Sequence, residues 1–147
     1  MASYWYDHAA YLVLNGALNF ASGGNDIRVA LVMTNTTADT EKDKALMNAF
    51  TTLDEYDGAN YVRKSLTESL GEDNTNHRGE FDATDITWTA LGAGTRNCQG
   101  AIIYKHVTND TDSIPLAWLD SGGFPFTGNG GDVTITWNAE GVLQAQA

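Results

Sequence analysis

Positively charged side chains are scarce in this sequence. Eight Lys and Arg residues stand against 19 Asp and Glu residues, which gives a formal net charge of −11 at pH 7. A protein that binds nucleic acid needs a basic face to neutralise phosphates, and anionic membrane surfaces ask for the same sign of charge. We therefore expect no nucleic-acid partner and no membrane partner. The acidity favours a soluble surface that resists non-specific association.

Cysteine is almost absent, since Cys98 is the only one. A single cysteine cannot form an internal disulfide. Cys98 lies in the segment Arg96–Gly100, directly before an apolar run. A free cysteine in such a context is typically a buried small apolar residue. The sequence therefore predicts a structural role for Cys98 rather than a nucleophile.

Long apolar runs and a basic N-terminal segment are also lacking. No run approaches the length of a membrane span, and Met1–Asp7 contains none of the basic residues of a signal peptide. These absences predict a protein that is made in the cytoplasm and stays soluble.

The 147 residues suit one domain covering residues 1–147. A chain of this length buries roughly 70% of the surface that its unfolded form exposes. It can therefore fold without disulfides or metals. Four Trp and six Tyr argue against disorder, because disordered chains are poor in aromatic residues.

Two short helices are predicted near the N-terminus, over residues 4–19 and 41–50. In the first, Tyr11, Leu14 and Leu18 form a helical stripe, and Ser3 is a candidate cap. In the second, Thr40 with Asp43 resembles a capping box. The polar segment from Gly71 to Gly79 is predicted to be an exposed loop.

The rest of the chain has the alternation of strands. Strands are predicted at 27–34, 60–70, 86–89, 101–104, 114–118 and 133–137, separated by Gly-, Asn- and Asp-rich turns. This spacing favours a mainly β fold, an antiparallel β-sandwich or partly open barrel of about six to eight strands. The predicted core consists of Leu31, Ile86, Trp88, Ile102, Tyr104, Leu116, Trp118, Val133, Ile135 and Trp137.

Catalytic and metal-binding patterns are not visible. His8, His77 and His106 lie on different segments without metal-ligand spacing. Calcium uses loop carboxylates, but no acidic group here completes an EF-hand pattern, so solvated turn residues are the simpler interpretation. We therefore expect no enzyme activity, no metal and no cofactor. The acidic groups are Asp54 with Glu55 and Asp57, Asp82 with Asp85, and Asp110 with Asp112.

Two aromatic segments are candidate interfaces. The Gly-rich stretch Gly122–Gly131 lacks the Gly-Lys-Ser/Thr ending of a phosphate loop, and no helix is predicted after it. Its two phenylalanines either fold back on the core, which we favour, or anchor a partner, because aromatic residues dominate cores and interfaces alike. The N-terminal aromatic cluster is too apolar to be left in water. The candidate interface residues are Tyr4, Trp5, Tyr6, Phe124 and Phe126.

Several blocks of the sequence resemble small virion proteins of tailed bacteriophages. They are Ile27–Val32, Thr51–Lys64, Ile102–Lys105, Ile114–Ala117 and Gly131–Leu143. The resemblance covers most of the chain, but its motifs are structural, so no catalytic residue carries over. It implies a capsid decoration, or cement, protein on the virion, commonly a homotrimer, with the major capsid protein as its partner.

Two other functions remain open. One is a neck or tail component of the same particle. The other is a carbohydrate-binding β-sandwich for host adsorption, which would be favoured by exposure of Trp5, Tyr56 or Phe124 in a shallow groove and opposed by their burial.

Overall fold

The computed structural model describes residues 4–146, without the side chain of Gln146. The predicted cap at Ser3 lies outside this range. Along the chain the elements are β1 (Tyr4–Trp5), α1 (Asp7–Leu14), β2 (Asp26–Met33), a short 3-10 helix (Met47–Ala49), β3 (Lys64–Ser65), β4 (Glu68–Asp73), β5 (Arg78–Ala83), β6 (Ile86–Trp88), β7 (Cys98–His106), β8 (Ile114–Leu119), β9 (Val133–Ile135) and β10 (Leu143–Gln146).

The strands form three antiparallel sheets in a sandwich-like fold, which confirms the predicted fold class. The largest sheet has the order β1-β8-β7-β2-β3, the second β10-β5-β4, and the third pairs β6 with β9. Residues 4–146 contain ten strands, more than predicted, because several are only two or three residues long. Short strands of this kind give little alternation for a sequence pattern to register.

The pair β2 and β7 forms the centre of the largest sheet. Arg28 is opposite Tyr104, Ala30 opposite Ile102 and Val32 opposite Gly100. β8 pairs with the other edge of β7. Ile102 and Ile103 are both fully buried although neighbouring side chains of a strand point to opposite faces, so both faces of the sheet are covered here. This arrangement explains the unbroken apolar run that predicted a central strand.

The predicted core is largely confirmed. Leu31, Ile86, Trp88, Ile102, Tyr104, Leu116 and Trp118 are buried. Val133, Ile135 and Trp137 are only partly buried, so their assignment to the core was wrong. The reason is that β9 pairs only with β6, and this two-stranded sheet leaves part of its apolar face uncovered.

The first predicted helix is shorter than expected and buries a different face. β1 occupies its first residues, and α1 ends at Leu14, before Gly16 with its positive φ of 74°. The predicted stripe is exposed at Tyr11 and Leu14, of which Leu14 is 88% exposed, while Ala9 is the buried residue. Within residues 4–146 no helix has the length and apolarity that a membrane crossing needs.

The second predicted helix, 41–50, was wrong apart from the 3-10 turn at Met47–Ala49. The backbone N–H of Met47 donates to Ser113 O at 2.9 Å, and that of Asn48 to Asp110 O at 3.0 Å. Thr40 donates its hydroxyl to Thr37 O instead of capping a helix. Tertiary hydrogen bonds have thus taken the donors that a helix would use, which overrides a weak local propensity.

The predicted loop Gly71–Gly79 was also wrong, because most of it forms the β4–β5 hairpin. Asp73 Oδ1 accepts hydrogen bonds from the backbone N–H groups of Thr75 and Asn76, both at 3.0 Å, and thereby shapes the turn. Arg78 then forms an ion pair with Asp73 at 3.2 Å. Polar composition concealed a hairpin whose pairing depends on the backbone.

The hydroxyl of Tyr56 joins three loops. It donates to Gly92 O at 2.8 Å and accepts from the backbone N–H groups of Gly94 at 2.9 Å and Gly128 at 3.2 Å. Gly128 is buried and Tyr56 is 2% exposed, so water is poorly placed to replace the hydroxyl. The group therefore satisfies buried backbone that would otherwise be unpaired.

Replacing Tyr56 with Phe is expected to lower the free energy of unfolding by about 1–3 kcal/mol, because buried donors and acceptors lose their partner. Urea denaturation measures the change. Tyr11→Phe is the matched control, since Tyr11 is 60% exposed, and should stay within about 0.5 kcal/mol of the wild type. Equal stability of Tyr56→Phe and Tyr11→Phe would contradict the role of the Tyr56 hydroxyl.

A carboxylate closes the long loop after β2. Glu41 accepts hydrogen bonds from Thr51 N at 2.8 Å, Thr51 Oγ1 at 2.6 Å and Thr37 Oγ1 at 2.7 Å. These donors stabilise the charged form and lower the pKa of Glu41 from 4.5 to about 2, with Thr51 as the main cause. The loop is thus closed by a group that must be ionised to accept all three bonds.

Because the pKa of Glu41 is lower in the folded protein, its stabilisation is complete above pH 4.5 and is lost as pH falls toward about 2. Glu41→Gln is therefore expected to make the fall in unfolding free energy over this window shallower, as measured by urea denaturation at several pH values. Glu72→Gln is the control, because Glu72 is exposed. A slope unchanged by Glu41→Gln would show that the three bonds do not favour the carboxylate.

Candidate binding groove

Four adjoining depressions form a continuous groove, which we call the aromatic groove. Their volumes are about 450, 280, 390 and 290 Å³ in order along it. Each depression shares lining residues with the next, and we take these four together as one surface. The shared residues are Trp5, Leu143 and Gln144 between the first two, Leu119 and Val142 between the middle two, and Gly122, Phe124 and Ile135 between the last two. A fifth depression, which His77 and Arg78 also line, adjoins the first.

The N-terminal aromatic segment enters the groove through β1. Register with β8 places Tyr4 opposite Trp118 and Trp5 opposite Ala117. Both Tyr4 and Trp5 line the groove and are partly buried. Because the sheet fixes their backbone, this part of the groove is preformed.

Tyr6 does not belong to this surface, and its place among the candidate interface residues was wrong. It is fully buried, and its hydroxyl donates to Ala38 O at 2.8 Å. The same carbonyl accepts from the Tyr4 hydroxyl at 2.7 Å. Burial is the main cause that raises the pKa of Tyr4 to about 12, so its phenol stays protonated as a donor.

The second aromatic segment reaches the groove through a bridge to β7. Cys98 N donates to Phe126 O at 2.8 Å, and Phe126 N donates to Cys98 O at 3.0 Å. The rings of Phe124 and Phe126 lie 5.6 Å apart, and both residues are partly buried against the core. They pack on the core, as we favoured, and they also line the groove, so the two interpretations from the sequence are compatible.

One end of the groove is apolar. Phe20 lies 6.1 Å from Trp5 and 4.8 Å from Phe81, measured between ring centroids. Leu70, which is 56% exposed, and Val13 of α1 line the opening. We call this first depression the apolar end. An exposed leucine beside packed aromatic rings is typical of a surface that binds a partner.

The third depression lies in the half of the groove away from the apolar end. It differs in character, and we call it the polar end although the fourth depression adjoins it. It combines the partly buried rings of Phe124 and Trp137 with Ser121, Thr136 and Asn138. The Trp137 indole N–H donates to Thr84 O at 3.0 Å, and the Trp137 backbone N–H donates to Asp85 Oδ1 at 3.0 Å. The indole is therefore held in place, and its polar edge is satisfied.

Charged residues are rare in the groove. Of the described residues that line its four depressions, the charged ones are Glu72, Glu80 and Asp132, and none is Lys or Arg. Glu80 already pairs with Arg78 at 2.8 Å. Lys42 Nζ lies 4.1 Å from the centroid of the Tyr4 ring, so this cation stands beside the lining of the groove and not within it.

Elsewhere the acidic groups predicted to be solvated make specific contacts. Arg63 forms hydrogen bonds with both Glu55 and Asp110, and these bonds raise the pKa of Arg63. The Arg63 guanidinium in turn lowers the pKa of Asp110. Arg96 pairs with Asp54. Simple solvation was thus the wrong expectation for these acids, which hold neighbouring loops together.

The structure shows the surroundings of Cys98 and of two of the histidines. Cys98 is buried, and burial is the main cause that raises the pKa of its thiol to about 12, which keeps it protonated. Within residues 4–146 no group of three or more His, Cys, Asp and Glu side chains could hold a metal ion. His106 contacts Ser113 at 3.5 Å, and His8 stacks on Tyr11.

Sequence patterns missed half of the groove. Phe20 and Phe81 lie just beyond the predicted helix 4–19 and the predicted loop Gly71–Gly79. Leu70 ends the predicted strand 60–70, and Trp137 was assigned to the core. The spacing of Leu70 and Phe81, which are directly opposite in the β4–β5 hairpin, is a signal that the polar composition concealed. Trp5, Phe124 and Phe126 were found because aromatic residues next to turns are conspicuous.

No family model, no curated protein and no solved structure matches this chain.

Removing divalent cations is expected to leave the melting temperature unchanged, because the loop acids accept hydrogen bonds from protein groups such as Thr51 and Thr95. Thermal denaturation with and without excess EDTA measures this. A clear drop with EDTA, reversed by calcium, would reveal a calcium site, since a ligand that binds only the folded state stabilises it.

Proposed function

We propose that this protein is a non-catalytic structural component of a bacteriophage virion, a decoration protein that binds and stabilises the outer surface of the head. The observation that carries the proposal is that Trp5 and Phe124, far apart in the sequence, line one groove with exposed apolar residues at its end. The resemblance of the sequence to small virion proteins supports the assignment to a bacteriophage particle. A preformed apolar surface of this kind can bind another protein, here the head shell.

The apolar end is the part that binds the head shell. Leu70 and Val13 present apolar surface to solvent beside Trp5 and Phe20. Covering such surface stabilises a complex by about 25 cal/mol for each Å² removed from water. The partner, the major capsid protein, presents a neutral or basic apolar patch, because Glu72 lies at the rim of this end.

Many copies act together on the shell. Weak contacts at each site add up when many sites are occupied, and binding to assembled rather than free subunits stabilises the shell by mass action. Cyclic symmetry is the usual arrangement for such a component, and we propose a homotrimer. Light scattering of the free protein and of the protein on particles tests this, and a strict monomer in both would contradict it.

The functional experiment compares particles that carry the protein with particles that lack it, under heat and osmotic shock. The protein is expected to increase survival and to bind assembled shells but not free capsid subunits. Leu70→Lys should weaken binding to shells at least tenfold, because it places a charge in an apolar contact.

Val107→Lys is the matched control. Val107 is 50% exposed, close to the exposure of Leu70, and it lies outside the groove. It should bind shells like the wild type. Equal survival with and without the protein, together with its location in the neck or tail, would overturn the decoration function and favour a neck or tail component.

A further inference from the structure

The polar end of the aromatic groove has no charged lining residue. Of the ten residues that line it, none is Asp, Glu, Lys, Arg or His. The chain as a whole is 18% charged and carries a net charge of −11. A depression without charges on such a protein suits a neutral ligand.

The aromatic rings of the polar end can stack against one face of a ligand. Trp137 and Phe124 both line the depression and are only partly buried. Two hydrogen bonds, to Thr84 O and Asp85 Oδ1, hold Trp137 in place, so it loses little freedom on binding. The face of an aromatic ring is electron-rich and attracts weakly positive C–H groups.

Neutral hydrogen-bonding groups surround these rings. Asn138 Oδ1 accepts from Glu140 N at 3.0 Å, and among the described residues Asn138 Nδ2 has no hydrogen-bond partner. Ser121 and Thr136 add two hydroxyls that make no hydrogen bond to the rest of the described chain. Hydroxyl and amide groups can both donate to and accept from ligand hydroxyls.

The volume of the polar end, about 390 Å³, lies within the range of small-molecule sites, roughly 300–1,000 Å³. A purely apolar ligand would leave the polar lining groups without partners. A nucleotide or another anion would meet no cation here and a repulsive net charge. A pyranose ring has both a C–H face and a rim of hydroxyls.

We propose that the polar end binds a neutral sugar, with one face of the pyranose ring stacked on Trp137 and its hydroxyls bonded to Ser121, Thr136 and Asn138. This site is distinct from the apolar end, with which it shares no lining residue. The proposal does not depend on where the protein lies in a particle. The affinity for a single sugar is on the order of millimolar, because small ligands pay a large entropic cost of association.

The experiment titrates the isotopically labelled protein with glucose, galactose, N-acetylglucosamine and maltose, and follows the four tryptophan indole resonances. Trp137→Phe identifies the resonance of Trp137. At least one of these sugars is expected to shift that resonance. The resonances of Trp88 and Trp118, which are buried, should stay in place. Glucuronate should bind at least tenfold more weakly than glucose, since nothing in the site offsets its charge.

Variants separate binding from folding. Both variants of Trp137 lack its indole, so their binding is followed by the backbone amide resonances of Ser121 and Asn138. Trp137→Ala should weaken sugar binding at least tenfold, whereas Trp137→Phe should keep it within about threefold because a ring face remains. Thr136→Val and Ser121→Ala, both at exposed positions, should weaken it several-fold. Thr67→Val is the matched control at an exposed threonine outside the groove and should bind like the wild type.

The proposal is overturned if none of the four sugars shifts the Trp137 resonance even at tens of millimolar. It is also overturned if Trp137→Ala, folded by circular dichroism, binds as well as the wild type, or if glucuronate binds as tightly as glucose. Loss of shell binding in Leu70→Lys leaves this site unaffected, so the two functions fail separately.

Discussion

The groove depends on the hydrogen-bonded register of β7. At the start of β7, Cys98 forms a β-bridge with Phe126. Further along, Ala101 pairs with Leu119 and Ile103 with Ala117 of β8. Ala117 in turn pairs with Trp5 of β1 on the other edge of β8. Cys98 and Ile103 are five residues apart, about 17 Å along a strand. Since β2 fixes β7 from the opposite side, two aromatic segments far apart in sequence are held at a constant separation. Leu119 lies between the two aromatic segments and lines both middle depressions of the groove.

Sequence patterns correctly predicted the strands that are covered on both faces. They failed where tertiary contacts determine the secondary structure of a segment. The strands around Leu31, Ile102 and Leu116 were found because buried strands select continuous apolar runs. The helix at 41–50 failed because Met47 donates to Ser113 O, a contact that no local pattern encodes. The same limit applies to the groove. Trp5 and Phe124 were predicted as interface residues because they are aromatic, but the sequence could not show that the fold brings them together.

Electrostatics explains why the groove is nearly free of charge in an acidic protein. Every arginine pairs with a carboxylate, as Arg63 does with Glu55 and Asp110. The arginines are therefore used in ion pairs, and other acids lie in turns where backbone N–H groups bond to them, as Asp112 illustrates. Acids so placed stabilise turns, and of the described acids only Glu72, Glu80 and Asp132 line the groove.

Water has a different role in binding at the two ends of the groove. The apolar end, around Leu70, gains free energy only when a partner excludes water from it, which requires an extended surface such as another protein. The polar end, around Trp137, can bind a small ligand because its hydroxyls and amide exchange water for ligand hydroxyls with little loss. Because the ends share no lining residue, substitutions in one should add to those in the other. The strand pair between them thus keeps the proposed shell contact and the proposed sugar site on one surface without coupling their specificities.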